Sequence, residues 1–206
     1  MKDSARYQSP ISSARPRGVR VIESYSPKLG RRLHCFGEDT FRQWICVEAD
    51  PSIETFCERP AYLSSGDDKQ LADFWTRQQD HETLLVIDEK NQTTTITIDD
   101  FEMPVRTILQ VELAASRIWV SNWERMLPAI VSCRQLISQS LLQSVSQFVS
   151  EPMQLSRIER ELGIGDLALV RGAIFTQLHR GQLQAPQLKT EPLSFLTCFQ
   201  PVRPMP

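Results

Sequence analysis

Leu71-Ala-Asp-Phe-Trp75 and Leu84-Leu-Val-Ile-Asp-Glu-Lys90 are two apolar runs, each carrying an acid, and the second has a lysine two residues beyond its aspartate. Leu84 to Ile87 is short, apolar and partly β-branched, and it ends in charge. That is how a buried strand delivering side chains to a cleft reads, whereas a solvated strand would alternate. Successive side chains of a strand point to opposite faces, so Asp88 and Lys90 share a face and Glu89 points away. A bend or bulge is needed to bring Asp73 alongside. Two carboxylates suit a hard divalent cation such as magnesium, which keeps several waters and takes one or two carboxylates together with phosphate oxygen. The lysine then polarises a water or holds a phosphate. Asp-x-Lys is a weak signal alone, because acid-then-base triplets arise by chance; the strand context raises it.

The totals describe an ordinary globular chain. Its 206 residues are 41% hydrophobic, ample for a core and for one or two domains. No run of roughly 18 apolar residues occurs, and Met1-Lys-Asp-Ser-Ala-Arg-Tyr-Gln8 lacks the apolar centre of a signal peptide, so a cytoplasmic protein without membrane spans is expected. Cys35, Cys46, Cys57, Cys133 and Cys198 are scattered and odd in number, which supports neither a disulfide framework nor a zinc site. His34, His81 and His179 read as surface or packing residues. The net charge of −2 conceals a separation along the chain. Residues 1–32 hold eight Lys or Arg and two acids, residues 33–102 five and sixteen, and residues 103–206 ten and seven. An acidic middle draws cations, while basic flanks can hold a phosphate backbone.

Residues 1–32, rich in Ser, Pro and Arg, read as a basic and largely disordered arm, with order beginning near Leu33. Phe41, Trp44 and Ile45 fall at helical spacing after Glu38, and Asp50-Pro51 ends that helix. Ile53 to Glu58 alternates as a strand, Ala61 to Leu63 forms another, and Gly66-Asp67-Asp68 turns the chain into a return strand over 70–77. A threonine-rich strand over 93–98 follows, with Asp99-Asp100 as its turn. From Val111 the period becomes helical, giving two helices broken near Pro128 or shortly after. Glu151-Pro152 then marks a boundary. Beyond it come a short helix over 156–162, a turn at Gly163-Ile-Gly165, and a second helix capped by Asp166 and stopped by Gly181. Two brief strands over 183–188 and 193–199 complete a helix, turn, helix, wing arrangement. Such modules dock on proteins as well as DNA. The second helix offers only Arg171, His179 and Arg180 as outward polar candidates, and both roles stay open.

Taken in order, Gly37-Glu-Asp-Thr-Phe41, Ile53-Glu-Thr-Phe-Cys-Glu-Arg-Pro60, Leu71-Ala-Asp-Phe74, Val86-Ile-Asp-Glu-Lys90, Leu155-Ser-Arg-Ile-Glu159 and Leu193-Ser-Phe-Leu-Thr197 resemble the TnsA-like transposon endonucleases. The similarity runs over most of residues 30–200. It implies an α/β fold: a restriction-endonuclease-like mixed sheet flanked by helices over 33–150, with trailing helices, then a small winged helix-turn-helix domain over 151–206. Matched by position, Glu38 is the helical acid of the site, Asp73 the first strand acid, Asp88 the second acidic position and Lys90 the catalytic lysine. Some members carry a glutamine where this chain has Asp88, and Glu89 is a spare carboxylate whose role is open.

The resemblance implies phosphodiester hydrolysis with magnesium, which manganese can replace. Asp73, Asp88 and the backbone carbonyl of Glu89 would bind the ion, Glu38 would bring a second ion or orient the first, and Lys90 would orient water or stabilise phosphate charge. It further implies DNA at transposon ends as substrate, with a DDE-type transposase subunit and an AAA+ ATPase regulator as partners. Two other readings stand beside it: a non-catalytic DNA-binding or assembly protein built on the winged module, and a stand-alone restriction or repair endonuclease. Taken as structure alone, Glu38 is simply an acid favoured at a helix N-terminus. Asp73, between Ala72 and Phe74, is harder to explain that way, because a buried carboxylate needs a partner.

Overall fold

The computed structural model describes residues 7–65, 68–88, 94–98, 101–163 and 165–202. Glu89, Lys90, Gln92, Lys2 and the turns expected at Gly66-Asp67 and Asp99-Asp100 lie outside the described residues. The chain forms two compact units that part between Ala115 and Ser116.

The first unit opens with a hairpin where a disordered arm was expected. Strand β1 (Val21–Ser26) pairs antiparallel with β2 (Arg31–Phe36), and Gly30 takes a positive φ in the turn. This hairpin packs on helix α1 (Glu38–Ala49), whose last turn is tied to it by polar contacts. Glu48 is fully buried and accepts hydrogen bonds from Ser26 Oγ (2.5 Å) and the Lys28 backbone N–H (2.9 Å). Lys28 Nζ in turn donates to the Val47 and Asp50 carbonyls, at 3.1 and 2.6 Å, satisfying groups that a helix C-terminus leaves open. Burial lowers the Lys28 pKa, and Glu48 and Asp50 oppose that shift. The composition of residues 1–32 suggested disorder because the acid that orders the hairpin lies 22 residues beyond Ser26.

Strand β3 (Thr55–Glu58) follows, then β4 (Tyr62–Ser65), β5 (Asp68–Leu71), β6 (Phe74–Gln78), β7 (His81–Ile87), β8 (Thr94–Ile98) and β9 (Phe101–Ile108). Five of them form a mixed sheet in the order β3-β6-β7-β9-β8, antiparallel except for the parallel pair β7-β9. Cys57, Trp75, Leu84 and Val105 are successive partners across it, and with Val86 and Met103 they build one apolar face of buried side chains. Tyr7 packs on that face, its ring 5.6 Å from Trp75 in an edge-on contact. Arg31 holds the buried Glu58 through two hydrogen bonds of 2.8 and 2.6 Å, joining β2 to β3. The unit ends with the short helix α2 (Gln110–Ala115). The coarse expectation, a mixed sheet flanked by helices in an α/β fold, is what the structure has.

The strand expected over 70–77 is broken. β4 pairs with β5 as β3 pairs with β6, so the four segments form one long hairpin kinked in both arms. Arg59 (φ 46°) and Pro60 bend one arm, and Ala72-Asp73 bend the other. The register slips by one residue there: Arg59 N–H donates to the Asp73 carbonyl (2.8 Å), while Ala72 N–H donates to the Ala61 carbonyl (3.0 Å).

The second unit contains the helices expected to trail the sheet. Helix α3 (Arg117–Cys133) runs straight through Pro128, and the break comes only at residues 134–138, before α4 (Gln139–Phe148). Helix α5 (Leu155–Leu162) and helix α6 (Leu167–His179) follow, and Asp166 caps α6 by accepting from the Ala168 and Leu169 N–H groups. Both α3 and α4 pack on α6, so the boundary lies at residue 115 rather than at Pro152. Gly172 permits this approach: a Cβ there would sit 2.9 Å from that of Cys133. Strands β10 (Met153–Gln154), β11 (Leu183–Gln184) and β12 (Cys198–Pro201) form a small antiparallel sheet in the order β10-β12-β11.

Asn122 in α3, 1% exposed, binds the loop that leads to β12. Its Nδ2 donates to the Leu188 and Glu191 carbonyls (2.8 Å each), and its Oδ1 accepts from Leu193 N–H (2.7 Å). Replacing Asn122 with Ala should cost about 2–4 kcal/mol, because three backbone groups, two of them buried, lose their partners. Urea denaturation of the two proteins measures it. Glu48→Ala should likewise destabilise by about 2–3 kcal/mol, and Glu48→Gln, which keeps an acceptor, by clearly less.

Candidate functional site

The kink at Ala72-Asp73 decides where the acids go. Leaving the regular ladder, Asp73 donates its own N–H to the Leu85 carbonyl (2.9 Å) and accepts the Ile87 N–H on its carboxylate Oδ2 (2.7 Å). A side chain thus does the work of a missing main-chain acceptor. The carboxylate lies against the Val86–Ile87 peptide at the end of β7, and the next residue, Asp88, donates its N–H to the Ile108 carbonyl (3.2 Å). Because β6 runs antiparallel to β7, the start of one and the end of the other fall at one end of the sheet. Asp73 and Asp88 both lie at that end, and the chain bends at Ala72-Asp73.

Two neutral side chains complete this corner. Thr40, in the first turn of α1, directs its hydroxyl to both the Asp73 carboxylate and the Phe36 carbonyl (3.1 Å to the latter). Gln70, on β5, donates Nε2 to Asp88 Oδ2 at 3.4 Å. Neither was singled out from the sequence. Thr40 stands two residues after Glu38 in a helix start already read as part of the site, and that spacing was the available signal. Gln70 had none, since its approach depends on the kinked hairpin.

Glu38 sits at the head of α1 but turns to Arg20, 3.5 Å from it, and its side chain is about half exposed. Gly37 precedes it with φ 96°, and Glu38 and Asp39 favour the helix N-terminus electrostatically. The α1 side chain that reaches Asp73 is Thr40. Among the described residues, no three His, Cys, Asp or Glu side chains gather into a metal-holding group. The described donor set is therefore two carboxylates, Asp73 and Asp88, with Glu89 and Lys90 outside the described residues.

Burial pushes the Asp73 pKa up from 3.8 to about 6; the hydrogen bonds from Ile87 and Thr40 oppose this without cancelling it. Its negative charge is thus only partly compensated by the described residues. All the donors are oxygens, and an under-compensated carboxylate beside a second one fits a hard divalent cation that completes its shell with water. Thiol chemistry does not compete here. Desolvation is the leading cause that raises Cys35 to about 12 and Cys57 to about 11, so neither is a thiolate near neutral pH.

In the second unit, α6 does not present the side chains expected of it. From Gly172 to His179 every residue is buried. Arg171 Nε donates to the buried Glu159 at 2.6 Å, and the His179 ring packs edge-on 5.9 Å from Trp123. Of the three outward candidates only Arg180 is exposed. The helix is the hub of its unit, so its middle and end offer little surface for reading bases.

Comparison with protein-family models and with curated proteins finds no match to the chain.

The raised Asp73 pKa has a signed consequence. The unfolded chain ionises this group near 3.8 and the folded protein near 6, so between those values the folded state holds the extra proton. Stability should therefore fall as pH rises from about 4 to about 6, by on the order of 2 kcal/mol, and stay lower above that. Asp73→Asn keeps an acceptor for Ile87 N–H and should remove this slope, melting higher than the parent at pH 8 and nearly level with it at pH 4. Thermal melts across pH test this without any assay of activity.

Proposed function

We propose that the protein is a metal-dependent DNA endonuclease, the strand-cutting subunit of a heteromeric transposase. The observation that supports this best is the pairing of a desolvated carboxylate, Asp73, with Asp88 at one end of a mixed sheet, reached through a kink that takes Asp73 out of the ladder. Magnesium bound there would polarise a phosphate and make water a better nucleophile. Asp73 and Asp88 would hold it, Thr40 and Ile87 N–H would fix the Asp73 carboxylate, and Gln70 would orient Asp88. Lys90 and the Glu89 carbonyl carry the roles that the resemblance gives them, and Glu38 serves the rim of the site rather than its centre.

In this reading the substrate is DNA at the transposon ends. The chain cuts the 5′ strands, a DDE-type transposase joins the 3′ ends, and an AAA+ ATPase regulator controls the assembly. The second unit, in which β10, α5, α6, β11 and β12 follow the order of a winged helix, docks the subunit on a partner. The burial of α6 favours that role over base reading. A cytoplasmic location accords with this work; among the described residues no helix is long and apolar enough to cross a membrane.

One observation favours a rival, a non-catalytic assembly protein on a degenerate nuclease scaffold: a third acid does not join Asp73 and Asp88 among the described residues. A reconstituted transposition reaction separates the two. Asp88→Ala and Lys90→Ala should each lower 5′-strand cleavage by about a hundredfold or more while 3′-end joining continues. Undiminished 5′ cleavage in both variants would exclude the nuclease assignment. Independently of activity, magnesium should raise the melting temperature at pH 8, and Asp73→Asn should abolish that rise.

A further inference from the structure

Residues 11–20 form a loop with one end pinned to Arg59, which binds the Asp73 carbonyl, and the other to Gly37 at the head of α1. At one end Ile11 N–H donates to the Arg59 carbonyl (3.0 Å), and Arg59 N–H donates to the Asp73 carbonyl (2.8 Å). Arg59 is itself fixed, its guanidinium 4.6 Å from the Phe36 ring centre and bonded to the His34 carbonyl. At the other end the Arg20 carbonyl accepts from Gly37 N–H (2.9 Å), three residues before Thr40. Between the anchors the chain turns tightly, with Val19 N–H on the Pro16 carbonyl (3.3 Å) and Gly18 at φ 77°. The tip, Ala14-Arg-Pro-Arg-Gly18, is exposed throughout.

We propose that this loop is a phosphate-backbone clamp for duplex DNA, with Arg15 and Arg17 as its contacts and Arg20 as its link to the rim of the acidic corner. The role rests on the nuclease reading of Asp73 and Asp88 only for which strand the clamp serves. Among the described residues no carboxylate pairs with Arg15 or Arg17, so both charges are free for an anion. The tip carries no large apolar side chain, which disfavours a peptide that must bury surface and suits a partner recognised by charge alone. Proline and the tight turn restrict the loop before binding, which reduces the ordering cost. A cationic loop beside an anionic pocket also solves an electrostatic problem. Asp73 and Asp88 repel phosphate, and a strand drawn to their edge needs positive charge fixed to the same backbone.

The test is binding of a short mixed-sequence duplex by the full chain, with chelator present so that nothing is cut, followed by fluorescence anisotropy across a salt series. The double variant Arg15→Ala/Arg17→Ala should bind about tenfold more weakly at low salt, and its slope of log K against log salt should be shallower by about 1.8, or 0.9 per lost phosphate contact. Arg15→Lys/Arg17→Lys should restore most of the affinity. Unchanged affinity and slope in the alanine variant overturns the proposal. So does a lysine variant as weak as the alanine one, or an alanine variant that loses only binding to phosphatidylcholine vesicles containing phosphatidylserine. Undiminished 5′-strand cleavage by Asp88→Ala and Lys90→Ala in the reconstituted reaction would instead remove the nuclease reading and leave the clamp standing.

Discussion

The hydrogen bond from Ile87 N–H to the Asp73 carboxylate organises the first unit. A regular ladder would offer that N–H a main-chain carbonyl, but the kink at Ala72-Asp73 has carried the next carbonyl away. Leaving a buried donor unpaired costs on the order of 1–3 kcal/mol, and a carboxylate is the acceptor that fills the gap. The exchange fixes Asp73 in one orientation against the end of β7. It also takes the carboxylate out of water, which is why its pKa rises to about 6 despite two hydrogen bonds. One geometric event, a one-residue slip in a hairpin, thus produces both the placement of the acid and its strain. Placement and desolvation together set this corner apart from an ordinary sheet end.

The kink must be held from outside, because Arg59 in a left-handed conformation and a desolvated acid are both unfavourable by themselves. The support comes from the N-terminal hairpin. Glu48 binds Ser26 and Lys28, Lys28 closes the end of α1, and α1 delivers Thr40 to Asp73 at its other end. Arg31 of β2 reaches Glu58, and Arg59 at the kink reaches back to the His34 carbonyl of β2. The chain before residue 33 is therefore part of the frame of the site.

How much of this could be read beforehand depends on whether the determining contacts are local. Strand β7, the start of α1, and α6 with its Asp166 cap and Gly181 stop were legible, because apolar runs, capping residues and glycines act within a few positions. The need for a bend near Asp73 was legible too, as a steric requirement; the slip at Arg59-Pro60 that supplies it was not. The β1-β2 hairpin was hidden because its polar residues are ordered by Glu48, far along the chain. Pro128 misled in the opposite sense. Its missing N–H weakens α3, yet Val120, Trp123, Met126 and Ile130 bury on both sides of it, and packing outweighs one lost hydrogen bond. Glu38 was assigned to the site from its position in a word of sequence, whereas its side chain turns to Arg20.

The same reasoning bears on what the second unit can do. Outward positions on α6 were assigned from helical periodicity alone, and the structure removes two of the three. Arg171 is bound by a buried glutamate, and His179 lies within the aromatic packing around Trp123. The middle and end of this helix pack among α3, α4, α5 and a small sheet, which leaves only its first turn exposed. Sequence recognition by this helix is therefore a poor fit to its packing. In the function proposed, a first unit that held DNA by phosphate charge and a second that docked on other proteins would need no base reading of their own. The burial of α6 and the exposed Arg15 and Arg17 support that proposal by separate physical routes.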